Sequence, residues 1–297
     1  MLASFTARGR FWRGNLHGHS SASDGALTAI EVCARYRAQG YDFISVTDHF
    51  MARFGFPLTD TRALRGNGFT TLLGAELHAM ENSRSELWHI LAVGLPPDFA
   101  PPTPTETGAE LARRAAESGA FVAIPHPHWS HLTLEDTRAL HFADAMELYN
   151  HTSQVNCDRG DGQVLYDAAL FDGLRFGAIA TDDSHFKTAD AFGGWVMVKA
   201  PENTPEALLA ALKAGHYYAS QGPELMDIRR DGDDLVVACS PVSMISLGGA
   251  RAGTVNSHGD GLTSARVSLA SFAGGWCRLT ITDAAGRRAW TSALWLD

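Results

Sequence analysis

One unit recurs along the first three quarters of this chain and limits what it can fold into. A short apolar or β-branched run is closed by a polar cluster, and a stretch with helical spacing follows or precedes it. "FISVTDH" (Phe43 to His49) comes after "TAIEVCARYRAQG", whose Ile30, Cys33, Ala34 and Arg37 lie at helical spacing and which ends at Gly40. "FTTLLGAEL" and "LWHILAVGL" read as strands, and "TETGAELARRAAESGA" as a helix closed by Gly119 and followed by the strand "FVAIPH". "DAMELYN" is a strand, "VLYDAALFDG" a helix ending at Gly173, and "RFGAIATDDSH" the next strand. "TPEALLAALKAG" is a helix with Thr204 as N-cap and Pro205 at its first position, where the missing N–H costs nothing. Repeated strand–helix units predict an α/β fold with a largely parallel sheet.

The tail changes character. From residue 224 to 297 the sequence alternates apolar and polar residues, with turn signals at "DGDD" and "DAAG" and few helical windows. We therefore divide the chain into an α/β part, 1–223, and a small antiparallel β module, 224–297.

The histidines mark the chemistry. Of 13 in the chain, 12 lie before residue 220, far from an even spread. Eight of them sit in "HGHSS", "TDH", "GAELHA", "PHPHW", "YNH" and "DDSH", each of which follows or closes an apolar run. In parallel α/β folds the C-terminal strand ends carry the site, so these clusters are expected to converge. Residues i and i+2 of a strand share a face, so His17 and His19 aim two imidazoles at one point and suit a single divalent ion. Asp24 follows in the loop; Asp48 and His49 close one strand, Glu76 another, and Asp183 and His185 a third. His89 lies within a strand and His126 precedes Pro127.

In order and spacing, "NLHGHSSASDG", "GYDFISVTDH", "GAEL", "HILAVG", "IPHP" and "TDDSH" resemble the polymerase-and-histidinol-phosphatase (PHP) superfamily of metal-dependent phosphoesterases, over roughly residues 12 to 220. The tail, above all "WCRLTITDAAGRRAWTSALWL", resembles the C-terminal β extension of the branch that includes the carbaryl hydrolases. The resemblance implies a distorted seven-stranded (β/α) barrel holding two or three divalent metal ions. It implies that His17, His19, Glu76 and Asp183 bind the first, and that Asp24, His49 and His185 hold the second. Glu76 would bridge to a third, held also by His89 and His126. All nine ligands are present. Zinc, iron and manganese all suit a mixed imidazole–carboxylate site.

The implied chemistry is attack by a water that bridges two cations. His128 and His151 are candidates for the acid that protonates a leaving oxygen. Asp182 is grouped with them as a supporting carboxylate or N–H acceptor, because the D-x-H spacing assigns ligation to Asp183. Arg53, Arg159 and Lys187 each lie a few residues past a ligand strand and are candidates for holding a phosphate. His78, two residues after Glu76, is a candidate substrate contact or supporting partner. "PHPHWSHL", stiffened by Pro125 and Pro127, suits a pocket wall, whereas His141, His216 and His258 are assigned to structure or surface.

The expected function is hydrolysis of a small phosphate ester. One alternative is an ester, amide or carbamate hydrolase with the same metal centre; a second is a non-catalytic, metal-stabilised binding module. The formal net charge of −9 argues against a binder of nucleic-acid backbone. Cys33, Cys157, Cys239 and Cys277 form no CxxC pair, and no apolar run approaches the ~18–20 residues that span a bilayer. These features read as a cytoplasmic protein with a small-molecule substrate and no membrane partner.

Overall fold

In the computed structural model, residues 3–250 and 253–296 are described. The strands are β1 (Arg10–Asn15), β2 (Phe43–Val46), β3 (His49–Phe50), β4 (Thr70–Glu81), β5 (Leu87–Val93), β6 (Phe121–Ile124), β7 (Ala145–Asn150), β8 (Gly177–Thr181), β9 (Trp195–Ala200) and β10 (Tyr217–Ser220). Those of the tail are β11 (Leu225–Asp231), β12 (Asp234–Gly249), β13 (Thr254–Ser268), β14 (Trp276–Thr282), β15 (Arg288–Trp290) and β16 (Leu294–Trp295). The helices are α1 (Ala3–Thr6), α2 (Ala29–Ala38), α3 (Gly108–Glu117), α4 (Leu134–Ala139), α5 (His151–Cys157), α6 (Gln163–Phe171) and α7 (Pro205–Lys213).

The helix starts follow from local chemistry. Thr28 with Glu31, Thr107 with Glu110, and Thr133 with Asp136 each form a reciprocal capping box that satisfies first-turn N–H groups. Thr204 caps α7 ahead of Pro205, as its sequence predicts. The short helices α4 and α5 have too few turns to show a periodicity in the sequence.

The chain is mixed α/β with one large sheet, ordered β1-β2-β4-β5-β6-β7-β8 through its first half. Pairings β1/β2, β2/β4, β6/β7 and β7/β8 are parallel, whereas β5 runs against both β4 and β6. The reversal arises because β4 extends to Glu81, beyond the expected Leu77, and turns directly into β5 with no helix between them. A closed seven-stranded barrel is not what forms. The ladder is open, because β1 pairs with β9 on its free side. The ends of β1 and β8 meet only beyond the strands, at a single parallel bridge between Gly18 and Ser184.

Leu77, Ile90, Leu111, Val122, Met146, Leu148 and Tyr166, all fully buried, share one core cluster formed by strands β4 to β7 and helices α3 and α6. The tail strands form their own cluster, with Ile228, Val237, Ile245, Leu279 and Ile281 packed beside Tyr218, Phe11 and Met197. β15 pairs antiparallel with β10, so the tail continues the main sheet. No helix among the described residues is long and apolar enough to cross a membrane.

Candidate metal centre

The bridge between Gly18 and Ser184 assembles the site. The amide of Asp183 donates to the carbonyl of His17 at 2.9 Å, and that of His19 to the carbonyl of Ser184 at 2.8 Å. A Cβ on Gly18 would stand 3.0 Å from Ser184 Oγ and 3.4 Å from Asn15 Nδ2, so the close approach favours a residue without a side chain. Stitched this way, Asp183 Oδ1 lies 3.3 Å from His17 Nε2 and 2.9 Å from His19 Nε2. Asp183 (φ 56) and His126 (φ 27) both occupy the left-handed region, a cost typical of functional sites.

Glu76 is the hub. It lies mid-β4, paired in register with His49 of β3, and is fully buried. Its Oε2 is 2.6 Å from His49 Nδ1, and its Oε1 is 2.7 Å from His89 Nδ1 and 3.0 Å from His126 Nε2. His17, His19 and His78 each approach to 3.7 Å, so six imidazoles surround one carboxylate. Burial opposes the charge on Glu76, but His89, His49 and the other rings outweigh it and hold the carboxyl well below its usual range.

Beside it, Asp24 Oδ1 lies 3.4 Å from His49 Nε2 and 3.3 Å from His185 Nε2. Burial disfavours charge on His185, yet Asp24 and Asp183 raise it to about 9. Burial and the neighbouring His185 instead push His19 down to about 4, which leaves a neutral ring with a free lone pair.

Among the described residues, four sets of side chains bring ligand atoms within 4.8 Å of one another: His19, Asp24, His49 and His185; His49, Glu76, His78 and His89; His17, His19 and Glu76; and His17, His126 and Asp183. His17 Nε2, His19 Nδ1, Asp24 Oδ1, Glu76 Oε2 and His78 Nδ1 are buried without a hydrogen-bond partner among the described residues. Buried polar atoms are seldom left so, and five in one cluster of imidazoles and carboxylates fit divalent cations.

A surrounding layer holds these groups in place. Glu147 of β7 accepts from His17 Nδ1 (2.8 Å), the His126 amide (2.6 Å), Asn150 Nδ2 (2.9 Å) and Thr181 Oγ1 (2.6 Å). Asp48 accepts from the Ser20 amide and from the hydroxyls of Ser20, Ser23 and Thr59, which folds the serine-rich loop and brings Asp24 inward. Sequence reasoning missed Glu147. Its signal was a lone carboxylate in "AMELYN", an otherwise largely apolar strand.

The cavity at the cluster holds about 470 Å³ and is lined by Asp24, His49, Glu76, His78, His89, His126, Asp183 and His185, together with Arg53 and Lys187. Met51, Leu87 and Trp129 line it as well, Trp129 being 43% exposed and edge-on to His126 and His89. Lys187 Nζ is 3.2 Å from Asp24 Oδ2, whereas Arg53 has no ion-pair partner among the described residues.

Other expected residues are set elsewhere. His128 is exposed and faces a separate cleft of about 1000 Å³, on the other side of the loop that carries His126. His151 starts α5, with Nδ1 2.9 Å from the Tyr149 hydroxyl and its ring against Gly193. Neither lines the cavity, so neither is positioned to protonate a leaving group there. Arg159 donates to His131 at 2.8 Å and does not reach the cavity. Asp182 turns its carboxylate away, accepting from the Tyr36 hydroxyl and the amides of Phe192, Gly193 and Gly194; it fixes the 192–194 segment and has no path to a substrate.

No protein-family model matches the chain, and no curated protein matches it. Among solved structures it is similar to a two-domain protein from Bacteroides vulgatus described as containing a predicted PHP-like metal-dependent phosphoesterase. The two are 16% identical over 97% of each chain, with a TM-score of 0.56. A provisionally named metal-dependent phosphoesterase from Bifidobacterium adolescentis matches 60% of this chain and 90% of its own, at 15% identity and a TM-score of 0.44. An amidohydrolase from Chromobacterium violaceum, with bound sulfate and no metal, matches 60% of this chain and 89% of its own, at 16% identity and a TM-score of 0.40. The first likeness spans the tail strands as well as the site-bearing half, and shows a shared fold.

Proposed function

We propose that this chain is a metal-dependent hydrolase of PHP type that acts on the phosphate ester of a small molecule. The observation that carries the reading is the shell of six imidazoles around the buried Glu76, flanked by Asp24 and Asp183. The description of the Bacteroides vulgatus protein as containing a predicted PHP-like phosphoesterase supports it.

In this reading His17, His19, Glu76 and Asp183 hold one divalent ion and Asp24, His49 and His185 a second. Glu76, His89 and His126 hold a third. Zinc, iron and manganese suit the donor set. Bound there, such ions supply Lewis acidity and a water made acidic enough to attack at neutral pH. The protein's own contribution is positioning. Glu147 takes the Nδ1 proton of His17 and so turns the lone pair on Nε2 toward Glu76 and Asp183. Arg53 and Lys187 at the mouth bind the phosphate oxygens, and Met51, Leu87 and Trp129 hold the rest of the substrate and exclude water. We also propose that residues 224–297 form a small β module, on the strength of a core cluster drawn mainly from its strands.

A second reading is hydrolysis of a carboxyl ester, amide or carbamate. Two observations favour it: Asp24 already neutralises Lys187, and Met51, Leu87 and Trp129 make one wall of the cavity apolar. Protein reconstituted in turn with zinc, iron and manganese is assayed on nitrophenyl phosphate and nitrophenyl acetate side by side. Metal-dependent phosphatase turnover is the expected result. Esterase turnover with phosphatase at background reverses the order, and no turnover on either with any metal sinks both.

A further inference from the structure

We propose that His78 is a direct metal ligand, a tenth beyond the nine that the PHP resemblance carries over, and that it shares an ion with Glu76 and His89. This inference rests on the metal-dependent reading above.

The β4–β5 hairpin sets the geometry. His78 follows Glu76 by two residues in β4, on the same face of the strand, and pairs in register with His89 directly across in β5. Opposite residues of an antiparallel pair stand ~4.5–5.5 Å apart at Cβ, close enough for both side chains to reach one ion. The rings of His78 and His89 are 4.4 Å apart between centroids, and the ligand atoms of Glu76, His78 and His89 all lie within 4.8 Å of one another. His78 Nε2 is 3.7 Å from Glu76 Oε2. Metal–ligand bonds of ~2.0–2.2 Å in tetrahedral geometry place neighbouring ligand atoms about 3.3–3.6 Å apart, so the His78–Glu76 pair stands within a few tenths of an ångström of that spacing.

A purely structural histidine is poorly served in this position. His78 is 5% exposed, its Nδ1 has no hydrogen-bond partner, and its Nε2 faces His49 Nδ1 at 2.9 Å. Either ring can be the donor in that contact, while the Glu76 Oε2 oxygen 2.6 Å from His49 Nδ1 has no hydrogen-bond partner among the described residues. His78 is left with no carboxylate or carbonyl within hydrogen-bond distance to fix its tautomer, unlike His17 on Glu147. A cation on its lone pair supplies the missing partner. A neutral imidazole gives one nitrogen to one ion, and the unpartnered Nδ1 of His78 is the nitrogen left for it.

The test is metal location and count. Crystals of the full chain grown with manganese or zinc are measured across the metal absorption edge. An anomalous peak within about 2.3 Å of a His78 ring nitrogen is expected. In solution, H78Q keeps a hydrogen-bonding group beside His49 but loses the imidazole, and is expected to hold one metal equivalent fewer than the parent, or to bind it at least ten-fold more weakly. H78D, with a competent ligand, restores that equivalent. Far-UV circular dichroism checks that both variants fold, and the crystallographic measurement needs neither. A parent chain that binds metal with no ion near His78, or an H78Q variant with full metal content at unchanged affinity, overturns this proposal alone. A parent chain that binds no metal overturns the functional reading with it.

Discussion

Glu147 Oε1 accepts from His17 Nδ1 at 2.8 Å, a contact between residues 130 positions apart and both fully buried. It orients the first imidazole of the cluster from behind, and the same carboxylate receives the amide of His126. Two ligand-bearing segments thus lean on one side chain. Outer partners of metal-bound histidines are worth about 10–100-fold in metal affinity. Glu147→Gln is expected to weaken binding of the tightest metal by about that factor, as read by competition with a chromophoric chelator. Unchanged affinity in a folded variant counts against His17 as a ligand.

Arg53 and Trp129 separate the two substrate readings. Arg53 is the one cation lining the cavity that lacks an ion-pair partner among the described residues. If it binds phosphate, Arg53→Ala raises KM for nitrophenyl phosphate about ten-fold, equivalent to ~1.4 kcal/mol, and leaves nitrophenyl acetate hydrolysis nearly unchanged. Trp129→Ala acts on the leaving-group side and lowers kcat/KM for both aryl substrates, with metal content unaltered. Equal responses of the two substrates to Arg53→Ala exclude a phosphate-specific role for Arg53.

Asp136 braces the loop that carries His126. It accepts from the amide and hydroxyl of Ser83, between β4 and β5, and from the amide and hydroxyl of Thr133 at the start of α4. Burial pushes its carboxyl up, but these donors prevail and hold it below the usual range. A carboxyl depressed by folding contributes stability above its unfolded value of ~3.9, and that contribution is lost as pH falls through the folded value. Asp136→Asn is therefore expected to lower stability at pH 7 by about 1–3 kcal/mol and to flatten the acid limb of the stability profile below about pH 4. Urea melts at pH 3, 4, 5 and 7 measure both effects. A variant whose acid limb parallels that of the parent rules out the Asp136 contribution.

Most positions of the candidate ligands were legible in the sequence because they close or follow a short apolar run, and strand ends are fixed by local pattern. The six polar clusters all border one cavity or its supporting layer, with "YNH" contributing Asn150 in place of His151. What periodicity does not carry is the direction of a side chain beyond the strand. Within "PHPHW", His126 and Trp129 face the cluster and His128 faces away, because His126 turns through a left-handed conformation. Asp182 and Asp183 divide the same way, one toward backbone amides and one toward the imidazoles. The open ladder was equally hidden. Whether β1 pairs with β8 or β9 is decided by long-range geometry, not by the composition of any of the three.

Besides the β10–β15 pairing, a buried arginine ties the tail to α6. Arg278 of β14 donates to both carboxylate oxygens of Asp167 on α6, at 3.0 and 2.9 Å, and to Gln163 Oε1 at 3.2 Å. The indole N–H of Trp290, itself 1% exposed, reaches the same Gln163 oxygen at 3.2 Å. A bidentate arginine–carboxylate pair with the arginine buried is geometrically specific, and removing one partner leaves the other underserved. Asp167 is 36% exposed at its side chain, so water takes over part of its needs and the loss is smaller than for a fully buried pair. Arg278→Met keeps most of the apolar stem and is expected to cost about 1–2 kcal/mol, a fall in Tm of a few degrees for a chain of this length. α6 starts just past the segment that leads from β7 and Glu147, so loosening it should also speed exchange of the amides in 161–165. Hydrogen exchange followed by mass spectrometry reads that segment directly. Faster exchange confined to 161–165 and the β14–β15 region is the expected pattern. Loss of protection across the whole chain instead makes Arg278 a determinant of global stability, and no change at all removes it as the link between the tail and α6.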